Sequence, residues 1–304
     1  MSVQTGSMGR IRFRRPSAGR IVAWIVLGLL IIITLFPFWW IVRTSLSNPR
    51  QLFVDTTSML PARFTLNNYA RVLGMMSTSE AVAAGGSGQT INFLLYLRNS
   101  LIVTTSLVVG QISFSALAAY AFARLNFPLR DKIFTLYIAA LMIPAVVMLI
   151  PNFVLIRTLG WLNTFQGIIA PAFLMTPFSV FFFRQFFLGI NREIEESAKL
   201  DGASLFGIFI KIVVPMSMPP ITTLAILAFL SHWNDYLWPL LIGKDESVRV
   251  LTVALGIFRT QTPQGAPDFA GLMAGAVVSM VPTLLLYFLA GRKAIDSIQF
   301  SGIK

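Results

Sequence analysis

Long apolar runs alternate with short polar stretches along most of this chain. A membrane-crossing helix needs about 20 mostly apolar residues. The first such run, residues 21–42, holds no charge at all. Further runs cover about 97–123, 133–156, 165–188, 219–242 and 271–291. The pattern predicts an all-α integral membrane protein with six transmembrane helices. Pro144, Pro151, Pro171, Pro177 and Pro282 fall inside these runs, and membrane helices tolerate proline where neighbours satisfy the freed carbonyls. The first run follows a basic leader with Arg10, Arg12, Arg14, Arg15 and Arg20. A cleaved signal peptide would have a shorter apolar core and a small-residue cleavage site. Here Phe36, Pro37, Phe38, Trp39 and Trp40 close the run and read as an interfacial aromatic belt on a retained span.

Composition agrees. Only 12% of the 304 residues are charged and 56% are hydrophobic, with a mean hydropathy of +0.74. Soluble domains carry roughly a quarter charged residues, so the bilayer is the natural solvent. The net charge of +12 does not indicate nucleic acid. A nucleic-acid binder gathers its basic residues on one face or stripe, whereas these sit at the ends of apolar runs, where they meet anionic lipid headgroups. The absence of cysteine excludes disulfides, thiol chemistry and thiolate metal sites. His232 is the sole histidine, so no histidine metal cluster is expected.

Basic residues also set an orientation. The leader and the loops after the second, fourth and sixth runs together hold fifteen of the 24 Lys and Arg, which predicts that side as cytoplasmic. The resulting map is a cytoplasmic basic tail at 1–20, a first span at 21–42, an external region at 43–96, a five-helix core at 97–291 and a cytoplasmic tail at 292–304. Within the core lie a cytoplasmic loop at 189–218 and an external loop at 243–270. No internal repeat is present to support an inverted-repeat carrier.

The cytoplasmic loop is the most informative stretch. Residues 191–215 read as two short helices broken at Gly202, which can take a left-handed turn, with Ser204 capping the second. Glu195 and Lys199 stand four apart in the favourable order, and Ile194, Ala198 and Leu205 form a narrow apolar stripe. Such a knob suits a groove on a partner. Glu196-Ser197-Ala198, three residues, Gly202, nine residues and Ile212-Val213-Val214-Pro215 resemble the EAA loop of ATP-binding-cassette import permeases. Ser197 stands for an Ala of that pattern and Val214 for a Leu. Further likeness to the maltose-type, two-permease carbohydrate group lies in Phe64-Thr65-Leu66-Asn67-Asn68-Tyr69, in Ala118-Ala119-Tyr120-Ala121-Phe122-Ala123-Arg124 and in Trp233-Asn234-Asp235-Tyr236-Leu237-Trp238-Pro239-Leu240. It extends from about residue 20 to the end. It departs at 75–92, where the external loop is longer, and in the closing Gln299-Phe300-Ser301-Gly302-Ile303-Lys304.

The resemblance implies a type I ABC importer permease that is not itself an enzyme. It implies ATP and Mg²⁺ on partner subunits and no cofactor on this chain, which lacks a Gly-rich loop ending in Gly-Lys-Ser/Thr. Glu196, Ser197, Ala198, Asp201, Gly202, Ile212 and Pro215 would couple it to an ABC ATPase dimer. A second permease subunit and an extracellular or periplasmic sugar-binding protein complete the expected partners, with membrane lipid and no nucleic acid. The setting would be a bacterial or archaeal cytoplasmic (inner) membrane, with both termini inside.

Asp235 is the one acid well inside a predicted span. Intramembrane ionisable residues mark functional sites by default, but His232 three residues earlier offers a structural pairing instead. Trp233 and Asn234 could stack on a sugar and hydrogen-bond its hydroxyls, and Tyr236 and Asn152 join them as candidate pathway residues. Asn152, Gln111 and Ser115 serve equally well as helix-to-helix hydrogen bonders. Thr262, Pro263, Gln264 and Gly265 form the turn-rich tip of the loop 243–270. By position it resembles the external finger that contacts a binding protein; a plain connecting loop is the alternative. The rival classes are a permease for a non-sugar solute, an ion-coupled secondary transporter and an intramembrane enzyme. The last two need more buried ionisable or nucleophilic groups than this chain holds.

Overall fold

The computed structural model describes residues 18–55, 58–259, 262 and 265–299, excluding the side chains of Ala18 and of residues 290–299. Helix α1 (Ala18–Ser45) extends the first apolar run at both ends. Its lipid-length stretch buries nothing inside the molecule, and it packs along the last helix, α15 (Phe269–Gln299). The following segment carries the short helices α2 (Asn67–Val72) and α3 (Thr78–Ala83). Arg43, at the turn out of α1, is 1% exposed. It donates to the carbonyls of Leu60 (3.1 Å) and Asp55 (3.0 Å) and lies over the Trp40 ring. Its charge therefore folds this segment back rather than meeting headgroups.

Helix α4 (Phe93–Arg124) is the unbroken centre of the bundle, packed against five other described helices. Gly110 makes one of these approaches possible: a Cβ there would lie 2.4 Å from the Phe173 carbonyl oxygen. Small residues are what let backbones close in where lipid removes the hydrophobic drive for helix association.

The third, fourth and fifth runs are not the straight helices their lengths predict. Arg130–Met142 and Ala145–Thr158 meet at 92°. The corner is Ile143, extended (φ −85°, ψ 115°), because a residue before proline is driven out of the helical region. Two arms of the fourth run, α7 (Phe165–Phe173) and α8 (Pro177–Leu188), meet at 43°. Thr176 before Pro177 is likewise extended, and its hydroxyl caps α8 at Ser179 N. The fifth run ends early, as α12 (Met218–Trp233), and resumes as α13 (Leu237–Ile242). Pro239 explains this break. Its ring lacks an N–H for the carbonyl four residues back, that of Asp235, and the Thr252 hydroxyl bonds that carbonyl instead at 2.8 Å. Asp235 thus sits in an interruption, not inside a helix as the sequence predicts.

Among the described residues three helices are long and apolar enough to cross a membrane, and up to six spans result if each bent pair is one, the third such pair being Leu205–Met216 with Met218–Trp233 at 79°. A core at one end joins α4 (Ala116, Ala119, Tyr120) to Phe183 and Phe187 of α8 and to Ile208, Phe209 and Val213 of the loop 189–218. Cores at the opposite end and middle gather Tyr96, Trp233, Leu251 and Phe258, and Val103, Leu107, Ile168 and Ile242.

Candidate functional site

The loop 189–218 folds into α9 (Arg192–Leu200), α10 (Leu205–Ile208), a π-helical turn over Phe209–Val213 and α11 (Val214–Met216). Asn191 caps α9 by accepting from Glu193 N at 3.1 Å. The helix ends in a Schellman turn: Ala203 N donates to Ala198 O and Gly202 N to Lys199 O, with Gly202 at φ +85°. Glycine takes that left-handed angle without a Cβ penalty. Asp201 forms the C-cap before it. Ser204 then accepts from Gly207 N at 3.1 Å and starts α10.

Glu196, Ser197, Asp201, Gly202 and Pro215 are exposed, while Ala198 and Ile212 pack against the core at this end. Leu200 (90% exposed) and Phe206 (65%) stand out beside them. Two expectations need correction. Glu195 does not pair with Lys199: its carboxylate is buried 2.7 Å from Arg124 Nε. Of the apolar stripe Ile194, Ala198 and Leu205, only Ala198 packs against the core; Ile194 and Leu205 face outward, at 40% and 47% exposure. The inward face of α9 is carried by Glu195 and Ala198, because the end of α4 supplies a cation there.

A cavity of about 230 Å³ opens in the opposite half of the bundle. Its polar lining includes Ser100, Thr104, Asn152, His232, Asp235 and Thr252, with no lysine or arginine. Ser100 and Leu107 of α4 lie about 10 and 21 Å along that helix at 1.5 Å per residue. Of the predicted pathway residues the cavity therefore gathers Asn152, Trp233 and Asp235. Trp233 is 3% exposed, stacked on Phe229 with ring centroids 5.6 Å apart and donating its indole N–H to Ser279 O. Asn234 turns away to Leu230 O, and Tyr236 lies under Arg259. His232 Nε2 meets Gln111 Oε1 at 3.2 Å, and no ion pair joins it to Asp235 among the described residues. Ser115 accepts from Thr176 N across the bend of the fourth run.

At the opposite end, Thr262 is buried; its N–H and hydroxyl both reach Ala266 O. Gly265 is exposed at φ +78°. Pro263 and Gln264 lie outside the described residues, as do the basic leader up to Arg15 and the tail from Phe300. Sequence reasoning missed a further cluster here. Arg71 and Asp268, both fully buried, form an ion pair that draws in Ser87 from the long 75–92 loop. Nothing local in the sequence couples positions 197 residues apart.

Residues 111–294 match the model of one family, the binding-protein-dependent transport system inner membrane component. The chain belongs to that family. Among relatives of this permease, the arabinooligosaccharides transport system permease protein AraQ of Halalkalibacterium halodurans is 35% identical over 68% of this chain and 72% of its own. The trehalose/maltose transport system permease protein MalG of Thermococcus litoralis is 29% identical over 91% and 94%. An sn-glycerol-3-phosphate transport system permease protein, UgpE of Yersinia pestis, is 30% identical over 88% and 91%. The permease also shares the fold of a chain from a bacterial ABC transporter involved in import of the acidic polysaccharide alginate. The TM-score is 0.76 at 23% identity, over 95% of this chain and 99% of that one.

Proposed function

We propose that this permease is one half of the membrane pathway of an ABC importer for a sugar, worked by a partner ATPase dimer that docks on the loop 189–218. The observation that carries the proposal is the geometry of that loop. A Schellman turn at Gly202 and a Ser204 cap fix two short helices at an angle, and they hold Glu196, Leu200 and Phe206 outward. An exposed apolar and acidic knob on a rigid frame suits insertion into a groove of a second protein. ATP and Mg²⁺ belong to the ATPase, and this side of the membrane, with both termini, is cytoplasmic. Closing of the ATPase pair drives the pathway only if the knob binds differently in the closed and open states.

A second permease subunit forms the other half of the pathway, and a binding protein delivers cargo to the opposite end, near Thr262, Gly265 and the 75–92 loop. The cavity lined by Asn152, Asp235 and Thr252 lies on the route. Its single carboxylate and lack of lysine or arginine favour a neutral, hydroxyl-rich solute over an anionic one. Glu196→Lys and Gly202→Val in the assembled transporter test the docking. Membrane insertion should persist while copurifying ATPase and solute uptake fall; normal uptake by both variants would refute it. A panel of neutral and acidic saccharides presented to the cognate binding protein decides the cargo, and selective binding of an acidic one counts against the neutral solute.

A further inference from the structure

Two residues of the Ala118–Arg124 stretch, Tyr120 and Arg124, stand four apart and so share one face of α4's last turns. Three separate parts of the loop converge on that face. Ile190, at its entry, accepts from Arg124 Nη2 at 2.6 Å. Glu195 of α9 sets Oε1 2.7 Å from Arg124 Nε, with both side chains 5% exposed. Its other oxygen accepts the Tyr120 hydroxyl at 3.2 Å. Phe209, in the π-helical turn, packs its ring 5.1 Å from that of Tyr120. The Arg124 Nε–H does not point along the line to Glu195 Oε1, so that contact is Coulombic, with the directed bonds made by Tyr120 and Ile190.

Stability alone does not account for charge here, because a buried ion pair is often no better than a well-packed apolar pair of the same volume. What the arrangement supplies is a joint between α9 and one particular helix. α4 runs unbroken through 32 residues, about 48 Å at 1.5 Å per residue. At its other end Ser100, Thr104 and Leu107 line the cavity. The remaining walls come from the interrupted elements α6 (Leu149–Thr158), α7, α12 and α13 and from Val250 and Thr252 at the start of α14 (Leu251–Leu255).

We propose that Glu195, Arg124 and Tyr120 are positioning residues that latch α9 to α4, so that displacement of the knob is carried along α4 to the cavity wall. This rests on the docking proposed above. Glu196, Leu200 and Phe206 meet the partner, and Glu195 on the opposite face passes the motion on.

The test uses the full transporter reconstituted in liposomes, reading solute moved per ATP hydrolysed. A purely structural role would reduce the amount of complex without changing that ratio. Glu195→Gln and Arg124→Gln should retain the ATPase and lower the ratio about tenfold. The reversal Arg124→Glu with Glu195→Arg should restore most of it. Tyr120→Phe, which removes one hydroxyl and keeps the packing, should lower the ratio about threefold. A parental ratio in Tyr120→Phe together with either charge variant would overturn the latch, as would a reversal no better than the single variants. If the charge variants do not assemble, Tyr120→Phe decides alone. A parent protein that binds no ATPase through this loop would instead refute the docking.

Discussion

Replacing Asp268 by alanine should destabilise the end of the molecule opposite the knob by about 3–5 kcal/mol, the usual consequence of removing one partner from a buried ion pair. Asp268 accepts from both terminal nitrogens of Arg71, from Ser87 N and Oγ at 2.9 Å each, and from Gly271 N at 2.9 Å. Without it the Arg71 cation, 0% exposed, keeps, among the described residues, only Asn68 Oδ1 at 2.9 Å and the Phe258 ring at 5.9 Å. Its Nε has no partner to begin with. At 1.4 kcal/mol per decade, the folding equilibrium should shift by about two to three and a half decades. Chemical denaturation of the detergent-purified protein, with hydrogen exchange over 75–92 and 262–271, measures both size and place. Arg71→Met with Asp268→Leu is the control, since removing both charges should recover most of the loss. A single variant within about 1 kcal/mol of the parent would refute the reasoning. The same pair sets an acid limit. Burial alone would raise the Asp268 pKa, but the Arg71 guanidinium and the N–H groups of Ser87 and Gly271 outweigh it and hold it below the ordinary carboxylate value. Its folded pKa being the lower one, its stabilisation is complete above about pH 4 and is lost as pH falls through the folded value.

Three further outcomes follow from local geometry. Gly202→Val should loosen the loop by about 1–2 kcal/mol and Gly202→Asn by clearly less, read by amide exchange at residues 199–203. A Cβ there meets nothing, so backbone strain at φ +85° is the whole effect. Thr252→Val strands the Asp235 carbonyl and should lower stability by about 1 kcal/mol in denaturant titration, with Thr252→Ser close to the parent. Gly110→Ala drives a methyl against Phe173 and should cost about 1–3 kcal/mol, seen as a lower melting temperature.

The membrane helices were legible because length and apolarity suffice to call for a span, and the knob because caps and glycine turns are local. Gly202 and Ser204 act as their types predict. Where several chain segments must meet, the sequence is silent. Glu195 sits beside Glu196 in the sequence, yet one is buried and the other exposed, and only the position of Arg124, 71 residues earlier, decides which. Arg71 reads as one basic residue among four in an external segment, and Asp268 as a loop acid. The prolines were visible, but their effect was not. Pro282 lies inside an intact α15, whereas Pro144 accompanies a right-angled corner.

That corner also bears on assembly. Residues 139–148 turn through it with every side chain exposed, including Met142 at 84% and Val146 at 70%. Their apolar surfaces are compatible with lipid; an interrupted backbone is not, because hydrocarbon offers no partner to its free N–H and C=O groups. Elsewhere in this chain the interruptions are sealed from within, by Thr252 on the Asp235 carbonyl and by Ser115 on the Thr176 amide. At the corner, among the described residues, backbone pairs alone close the turn: Ile143 N donates to Ala140 O at 3.1 Å and Pro144 O accepts from Val147 N at 3.0 Å. Non-helical backbone at membrane depth must be covered by protein or line a water-filled passage. Ala145, beside the corner, lines the cavity, and the second permease subunit proposed above would cover the exposed side of the turn.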